Sequence, residues 1–525
     1  MNDSTIAQSV LFADLADRPV IATFDQPQAS ADGGAILLQA ADRQLGLLPA
    51  LAAVVPDARA ETRVTHGVGD LLAQRVFAIA CGHPDGNDAD RLADDPIHKL
   101  LLGRDPICGV RLASQPTISR FEHTAAPRML LAMGHALADT VIARHRRRRR
   151  RVRLITIDLD VTEDQTHGTQ QLTFFNGFYD HWCYLPLVAT LTFDREPRQY
   201  LVAAILRPGN AAGTGGAVSL LRRLLPKLWR AFPGAQLRVR LDAGYATPEI
   251  FDQLEAAGVE YVVAMGTNAV LDRHAEPFLA PLRAVVVHTQ DTATTYGETA
   301  YQTRSWTAPR RTIIKAEVVW HAGREPRDNP RFIITNLRQT PEWIYTHVYC
   351  ARGDSENRFK ELKLALAFGR TSCTRFWANQ LRITLTAAAF VLFQELQLRL
   401  DRTALRGAQV PRLRQALITI GVQVVRSVRR IVLHFPRSHP DAALWGVSPA
   451  GSAPFPDKPA PSPNFTRLHA GGVFAKARTD LMTPADPATD VVHILSTANR
   501  RPKPASLRFE APADAETRSL MNNVG

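Results

Sequence analysis

Apolar positions along this chain change period several times, and each change marks a new region. Over residues 1–143 they recur at helical spacing, as in VGDLLAQRVFAIACG (68–82), where a 3.6-residue period builds one apolar face. SQPTISRFEH (114–123) reads as a helix start, with Ser114 at the cap and Pro116 in the first turn. From residue 154 the period shortens to two. RLITIDLDVT alternates and is β-branched, which predicts a strand. LTFFNGFYDHWCYLPLVATLTF (172–193) predicts two more, with Asn176-Gly177 as a turn, and QYLVAAIL continues the strand-rich section. GGAVSLLRRLLPKLWRAF is amphipathic at helical spacing, with Pro226 as a kink point. QLRVRLDAGYATPEIFDQLEAAGVEYVVAMG then reads strand, loop, helix, strand. Strands first and α/β alternation afterwards predict an α/β fold, a mixed sheet covered by helices.

Downstream, AVVVHTQ (284–290), TIIKAEVVWH and RFIITNL predict a β-rich segment over 275–337. From 338 to 447 the chain reads as helical and basic, and ITLTAAAFVLF (383–393) as a buried helix. Beyond 448 it is rich in Pro, Ala and Ser, a composition expected to stay disordered. The expected division is therefore 1–143 helical, 144–153 linker, 154–274 core, 275–337 β insertion, 338–447 the rest of the core, and 448–525 tail.

Charge changes the picture. The 525 residues carry a formal net charge of +13, which favours a polyanionic partner, nucleic acid before an acidic membrane. RHRRRRRRVR (144–153) concentrates that charge. Such a run repels itself, so it reads as a solvated linker, a phosphate-contacting segment through Arg146, Arg148 and Arg150, or both. Five widely spaced cysteines without a CxxC pair predict no disulfide framework or zinc knuckle and fit a reducing cytoplasm. No signal peptide is legible at the N-terminus, and no apolar run approaches the roughly 20 residues that span a bilayer, so no membrane partner is expected.

The candidate chemistry lies in YCARGDSENRFKELK (349–363). On a regular helix Tyr349, Arg352, Glu356 and Lys363 share a sector of about 60°, with Lys360 beside it. One carboxylate thus sits in a cationic face. A solvated surface helix would explain the charges alone. Two aspartates at predicted strand ends add to them: Asp160 in TIDLDVTED and Asp242 in RVRLDAGYA. Strand ends of an α/β sheet are where sites form, and three carboxylates can hold two Mg²⁺ or Mn²⁺ ions, the arrangement used for phosphodiester chemistry. Asp158 lies on the same strand face as Asp160 and reads as its neighbour. Glu163 and Asp164 fall in the turn beyond, and His167 reads as a turn residue rather than a ligand.

These blocks resemble insertion-sequence transposases of the DDE superfamily, in the bacterial branch marked by Y-x2-R-x3-E-x6-K. Tyr349, Arg352, Glu356 and Lys363 match that spacing without a gap, and DLDVTEDQTHG and LDAGYATPEI resemble the two aspartate segments over a similarity spanning about 30–437. The resemblance implies a ribonuclease-H-like core interrupted by a β insertion, and a helical N-terminal region that recognises transposon ends. It implies Asp160, Asp242 and Glu356 as ligands of two metal ions, and Tyr349, Arg352, Lys360 and Lys363 as phosphate contacts. It further implies metal-dependent cutting at the ends, attack of the freed 3′-hydroxyl on target DNA without a covalent enzyme intermediate, and a homodimer on DNA in the nucleoid. An aromatic of the insertion would hold a flipped base, for which Trp306 and Trp320 are candidates beside a plain core role. The Pro-rich tail departs from the family pattern. Two alternatives stand beside this reading: a nuclease that cuts without joining needs the same carboxylates, whereas the intact Asp160, Asp242 and Glu356 argue against an inactive end-binding repressor copy and the unusual tail argues for it.

Overall fold

The computed structural model describes residues 20 and 22–446, apart from 61 and 63; the expected tail lies outside them. Three longer helices mark the N-terminal region: α1 (Ile36–Leu45), α2 (Val68–Cys81) and α3 (Pro127–Arg148). Then come strands β1 (Leu154–Val161), β2 (Leu187–Phe193) and β3 (Tyr200–Ile205), helix α4 (Ala217–Ala231), β4 (Gln236–Leu241), α5 (Pro248–Ala256) and β5 (Glu260–Met265). Helix α6 (Ala269–Thr289) precedes β6 (Ala293–Tyr301), β7 (Arg310–Val319) and β8 (Arg331–Thr335). Helices α7 (Gly353–Lys360) and α8 (Phe376–Arg399) follow.

The main sheet runs β6-β7-β8-β5-β4-β1-β2-β3. β1, β4 and β5 are parallel, β2 pairs antiparallel with β1, and β3 pairs antiparallel with β2 and so runs in the direction of β1. Five strands in the order 5-4-1-2-3, with the second antiparallel, make a ribonuclease-H-like sheet. β8 pairs antiparallel with β5, so β6, β7 and β8 widen this same sheet.

Three local expectations change. AVVVHTQ belongs to helix α6, not to a strand. The side chain of Asn268 accepts from the backbone N–H groups of Val270 and Leu271 (both 3.1 Å) and starts the helix. Leu271, Ala275, Leu279 and Val286 then form a buried stripe, and that periodicity overrides the β-branched tail. The expected turn at Asn176-Gly177 is present but longer than a two-residue one: Asn176 pairs with His181, residues 177–180 form the loop, and Asp180 takes the left-handed conformation at φ 59°. The hairpin joins Asp164–Gln165 in a small separate sheet.

The arginine run is the third. Arg144 to Arg148 end helix α3, and Arg144 and His145 turn onto the core. The Arg144 guanidinium donates twice to the buried Glu395 (2.7 and 2.8 Å). His145 is buried against Phe193 and Tyr200, and burial beside three arginines pushes it down to about 2. Arg148 (3.3 Å) and Arg149 both pair with Glu196, and Arg149 lies over the Phe193 ring. Carboxylates and aromatic faces from distant segments thus offset the self-repulsion that predicted a solvated linker. Arg146 and Arg150 remain exposed.

Helix α8 sits at the centre. It has 24 residues and is long and apolar enough to cross a bilayer, contrary to the expectation that no segment is, yet nearly all of it is buried within the protein. The N-terminal helices pack around it and share one apolar core with the sheet. Ahead of α1, residues 29–35 are bolted to the last segment. Ala29–Ser30 pair with Val422–Gln423, and the Gly33 N–H donates to Ile420 O (3.0 Å). At Gly34 a Cβ would fall 1.5 Å from Leu417 O. Gly34→Ala is therefore expected to lower the urea midpoint by an amount equivalent to about 1–3 kcal/mol. An unchanged midpoint would show that this contact relaxes freely.

Candidate active site

One buried ion pair fixes the frame. Asp158 and Arg240 are register partners on the parallel strands β1 and β4. The Arg240 guanidinium donates to both Asp158 oxygens (2.7 Å each) and to Val348 O (3.0 Å). A single side chain thus ties both aspartate strands to the helical segment that carries Tyr349 and Arg352. Sequence reading placed Asp158 as a neighbour of Asp160, and its completely buried carboxylate does structural work there.

Two residues further along each strand stand Asp160 and Asp242. Asp160 lies near the end of β1, and Asp242 follows β4 directly, its side chain accepting from Gly244 N–H (2.8 Å). Arg352 lies between them, 2.9 Å from Asp160 and 3.8 Å from Asp242. Burial raises Asp160 to about 6; Arg352 opposes that rise, and the charges of Asp242 and Glu356 add to it. Two of the three expected acids therefore flank one guanidinium, and the third, Glu356, is close enough for Asp160 to feel its charge.

The segment carrying the signature is not a uniform helix. Ile344–Tyr349 and Glu361–Ala365 are π turns, and Cys350–Arg352 is a 3₁₀ turn. The 100° projection therefore fails across it, and π turns of this kind concentrate at functional sites. Ser355 and Phe359 are buried under α7, and Glu356 is exposed on it. Tyr349 is half-buried, beside Tyr345 and close enough to Arg352 and Asp242 to feel their charges. Lys363 donates to Glu163 (2.7 Å), and Lys360 is exposed on α7.

Other expected residues lie apart. Asp164 is buried, not in an open turn: it accepts from Thr371 Oγ1 (2.7 Å), and burial raises it to about 7. His167 is exposed. Trp306 is a core residue packed on Phe251 and Tyr301 under Arg310, and Trp320 is half-buried against the same core. Arg148 is engaged with Glu196.

Two residues escaped sequence reading. Tyr179, in the hairpin loop, feels the charges of Glu163, Asp160 and Asp242. Arg207 is fully buried and donates to Leu185, Ala212, Gly213 and Gly215 carbonyls. It holds the loop after β3 against the Asp242 turn, where a Cβ on Gly213 would fall 2.7 Å from Gly244 O. Neither has a motif, and an arginine in sequence reads as surface.

This donor set fits divalent cations. The candidate ligand atoms are hard oxygens from three separate elements, and Asp160, raised first by burial and further by the charges of Asp242 and Glu356, is a carboxylate whose charge a cation would stabilise. A guanidinium already lies between the two aspartates.

Fold and site together define a ribonuclease-H-like DNA-cutting enzyme of the DDE type. Residues 12–447 match the family described as transposase DDE domain group 1, and the chain belongs to that family. Such enzymes act on DNA and generally use divalent metals. Among curated proteins, none matched the sequence.

Proposed function

We propose that this protein cuts DNA at the ends of an insertion sequence and joins the freed 3′-hydroxyls to target DNA. The observation that supports the reading is the pairing of Asp160 and Asp242 with Arg352, with the Glu356 charge acting on Asp160, in a chain of this family. Asp160, Asp242 and Glu356 would hold two Mg²⁺ or Mn²⁺ ions, which when bound supply activation of the attacking oxygen and stabilisation of the leaving one. Arg352 and Lys363 would exchange their carboxylate partners for phosphate oxygens near the cut, with Tyr349 and Lys360 beside them. The exposed Arg146 and Arg150 would contact phosphates further out, and the N-terminal helices would recognise the ends. Two protomers would pair the two ends in the nucleoid.

The test is a cleavage and joining assay. Purified protein is mixed with labelled DNA bearing the flanking ends of its own gene, with Mg²⁺ or EDTA. Metal-dependent nicks at the ends together with joined products are expected. Nicks without joined products would leave a nuclease, and binding without nicks under any metal would leave an end-binding repressor.

A further inference from the structure

Away from the acidic triad, three ligand-type side chains meet in the N-terminal layer. Asp32 precedes α1, His83 follows the Gly82 cap of α2, and His98 lies in the short helix Pro96–Leu101. Both imidazoles point Nε2 at the same oxygen, Asp32 Oδ2, at 2.9 Å from His83 and 3.0 Å from His98. One donor atom from each residue lies within 4.8 Å of the other two. We propose that Asp32, His83 and His98 form a zinc site that pins the N-terminal arm to the helical layer.

Burial comes first in the argument. Asp32 is 3% exposed and His98 is fully buried, and polar side chains taken to that depth must be satisfied by one another or by a bound ion. The His98 ring makes its polar contact through Nε2 alone, its Nδ1 having no partner. Its one polar contact therefore lies where Asp32 and His83 converge, and its ring meets the His83 ring edge-on. Spacing comes second. Ligand atoms about 2.0 Å from a tetrahedral zinc stand about 3.3 Å apart, so the two separations from Asp32 Oδ2, 2.9 and 3.0 Å, need to open by only a few tenths of an ångström, while the third lies within 4.8 Å. Ligand type comes third: two imidazoles and a carboxylate suit zinc, which leaves its fourth position to water. His83 is about one-third exposed and gives the ion a path in. The nearby Arg414 is committed to Ala80 O and Ala365 O, so its guanidinium does not fill the space.

The three residues join segments that are far apart in sequence. Asp32 belongs to the arm that pairs with Val422–Gln423, so a bound ion would staple both ends of the described chain to α2. This inference does not depend on the transposase reading.

The test uses full-length protein, loaded with zinc and desalted, with metal content measured by atomic emission. Wild type, Glu356→Gln and His83→Gln are compared. Glu356→Gln removes an acid of the triad and so accounts for zinc bound there; His83 is partly exposed, and its variant is checked for native circular dichroism. A single zinc per chain is expected in wild type and in Glu356→Gln, with at least tenfold less in His83→Gln. A chelator is expected to lower the melting temperature of wild type and leave that of His83→Gln unchanged. Equal zinc in His83→Gln and wild type, or a wild type without zinc whose melting temperature ignores the chelator, would reduce the cluster to a hydrogen-bonded triad. Zinc lost only in Glu356→Gln would assign it to the acidic triad and overturn the proposal equally.

Discussion

Glu356→Gln is expected to reduce end cleavage by about a thousandfold or more while leaving DNA binding and the melting temperature near those of wild type. The substitution keeps side-chain length and helix propensity and removes one negative charge. Glu356 is exposed on α7, and the buried face of that helix is made by Ser355 and Phe359, so folding has little stake in the carboxylate. Catalysis has a large one. If the three acids share two cations, removing one ligand weakens both capture and placement of the ions, and a thousandfold loss corresponds to about 4 kcal/mol of transition-state stabilisation. Asp160 also loses one of the charges that push it upward, which leaves the pair of aspartates bound more tightly to Arg352. Cleavage is measured by single-turnover kinetics on end-bearing DNA, binding by gel shift in EDTA. A variant that cuts at a tenth of the wild-type rate or faster would remove Glu356 from the reaction. A variant that no longer binds DNA would make it a structural residue of the binding surface.

The contrast between Glu356 and its surroundings shows what a sequence exposes. Strand β1, strand β4 and the two aspartates were legible because alternation is local and a carboxylate at the end of a strand is conspicuous. The signature residues were legible through their spacing. What was hidden depends on partners far away in the chain. Arg144 reads as part of a repulsive run until Glu395, some 250 positions later, is placed beside it. Residues 284–290 carry β-branched side chains, and only the apolar stripe along the whole of α6 makes them helical. The N-terminal helices had the pattern of a separate module, yet the face that completes them is α8, and no local pattern says which surface a helix covers. The π turns flanking α7 erased the regular wheel without separating its residues from the acids, because Arg240 anchors the segment through the backbone at Val348.

Asp158→Ala is expected to destabilise the protein by about 3–5 kcal/mol, the range for removing one partner of a buried ion pair. Both side chains are almost fully shielded, at 0% exposure for Asp158 and 6% for Arg240, so the remaining guanidinium would be left without its two charge-assisted bonds and without water. The measurement is the urea midpoint, with the slope checked for two-state behaviour. A loss under about 1 kcal/mol would mean that water reaches Arg240 and that the pair is ordinary. The paired variant Asp158→Leu with Arg240→Met is expected to recover most of the stability, since two apolar groups of similar volume remove the stranded charge. It is not expected to recover cleavage. Methionine cannot donate to Val348 O, so the segment bearing Tyr349 and Arg352 loses its tie to β1 and β4. Arg240→Lys separates the two roles further: a lysine keeps the charge but cannot span both Asp158 oxygens and the carbonyl with one rigid fork. Stability regained without activity in the paired variant would assign Arg240 to positioning the site. Activity regained along with stability would assign it to the fold alone.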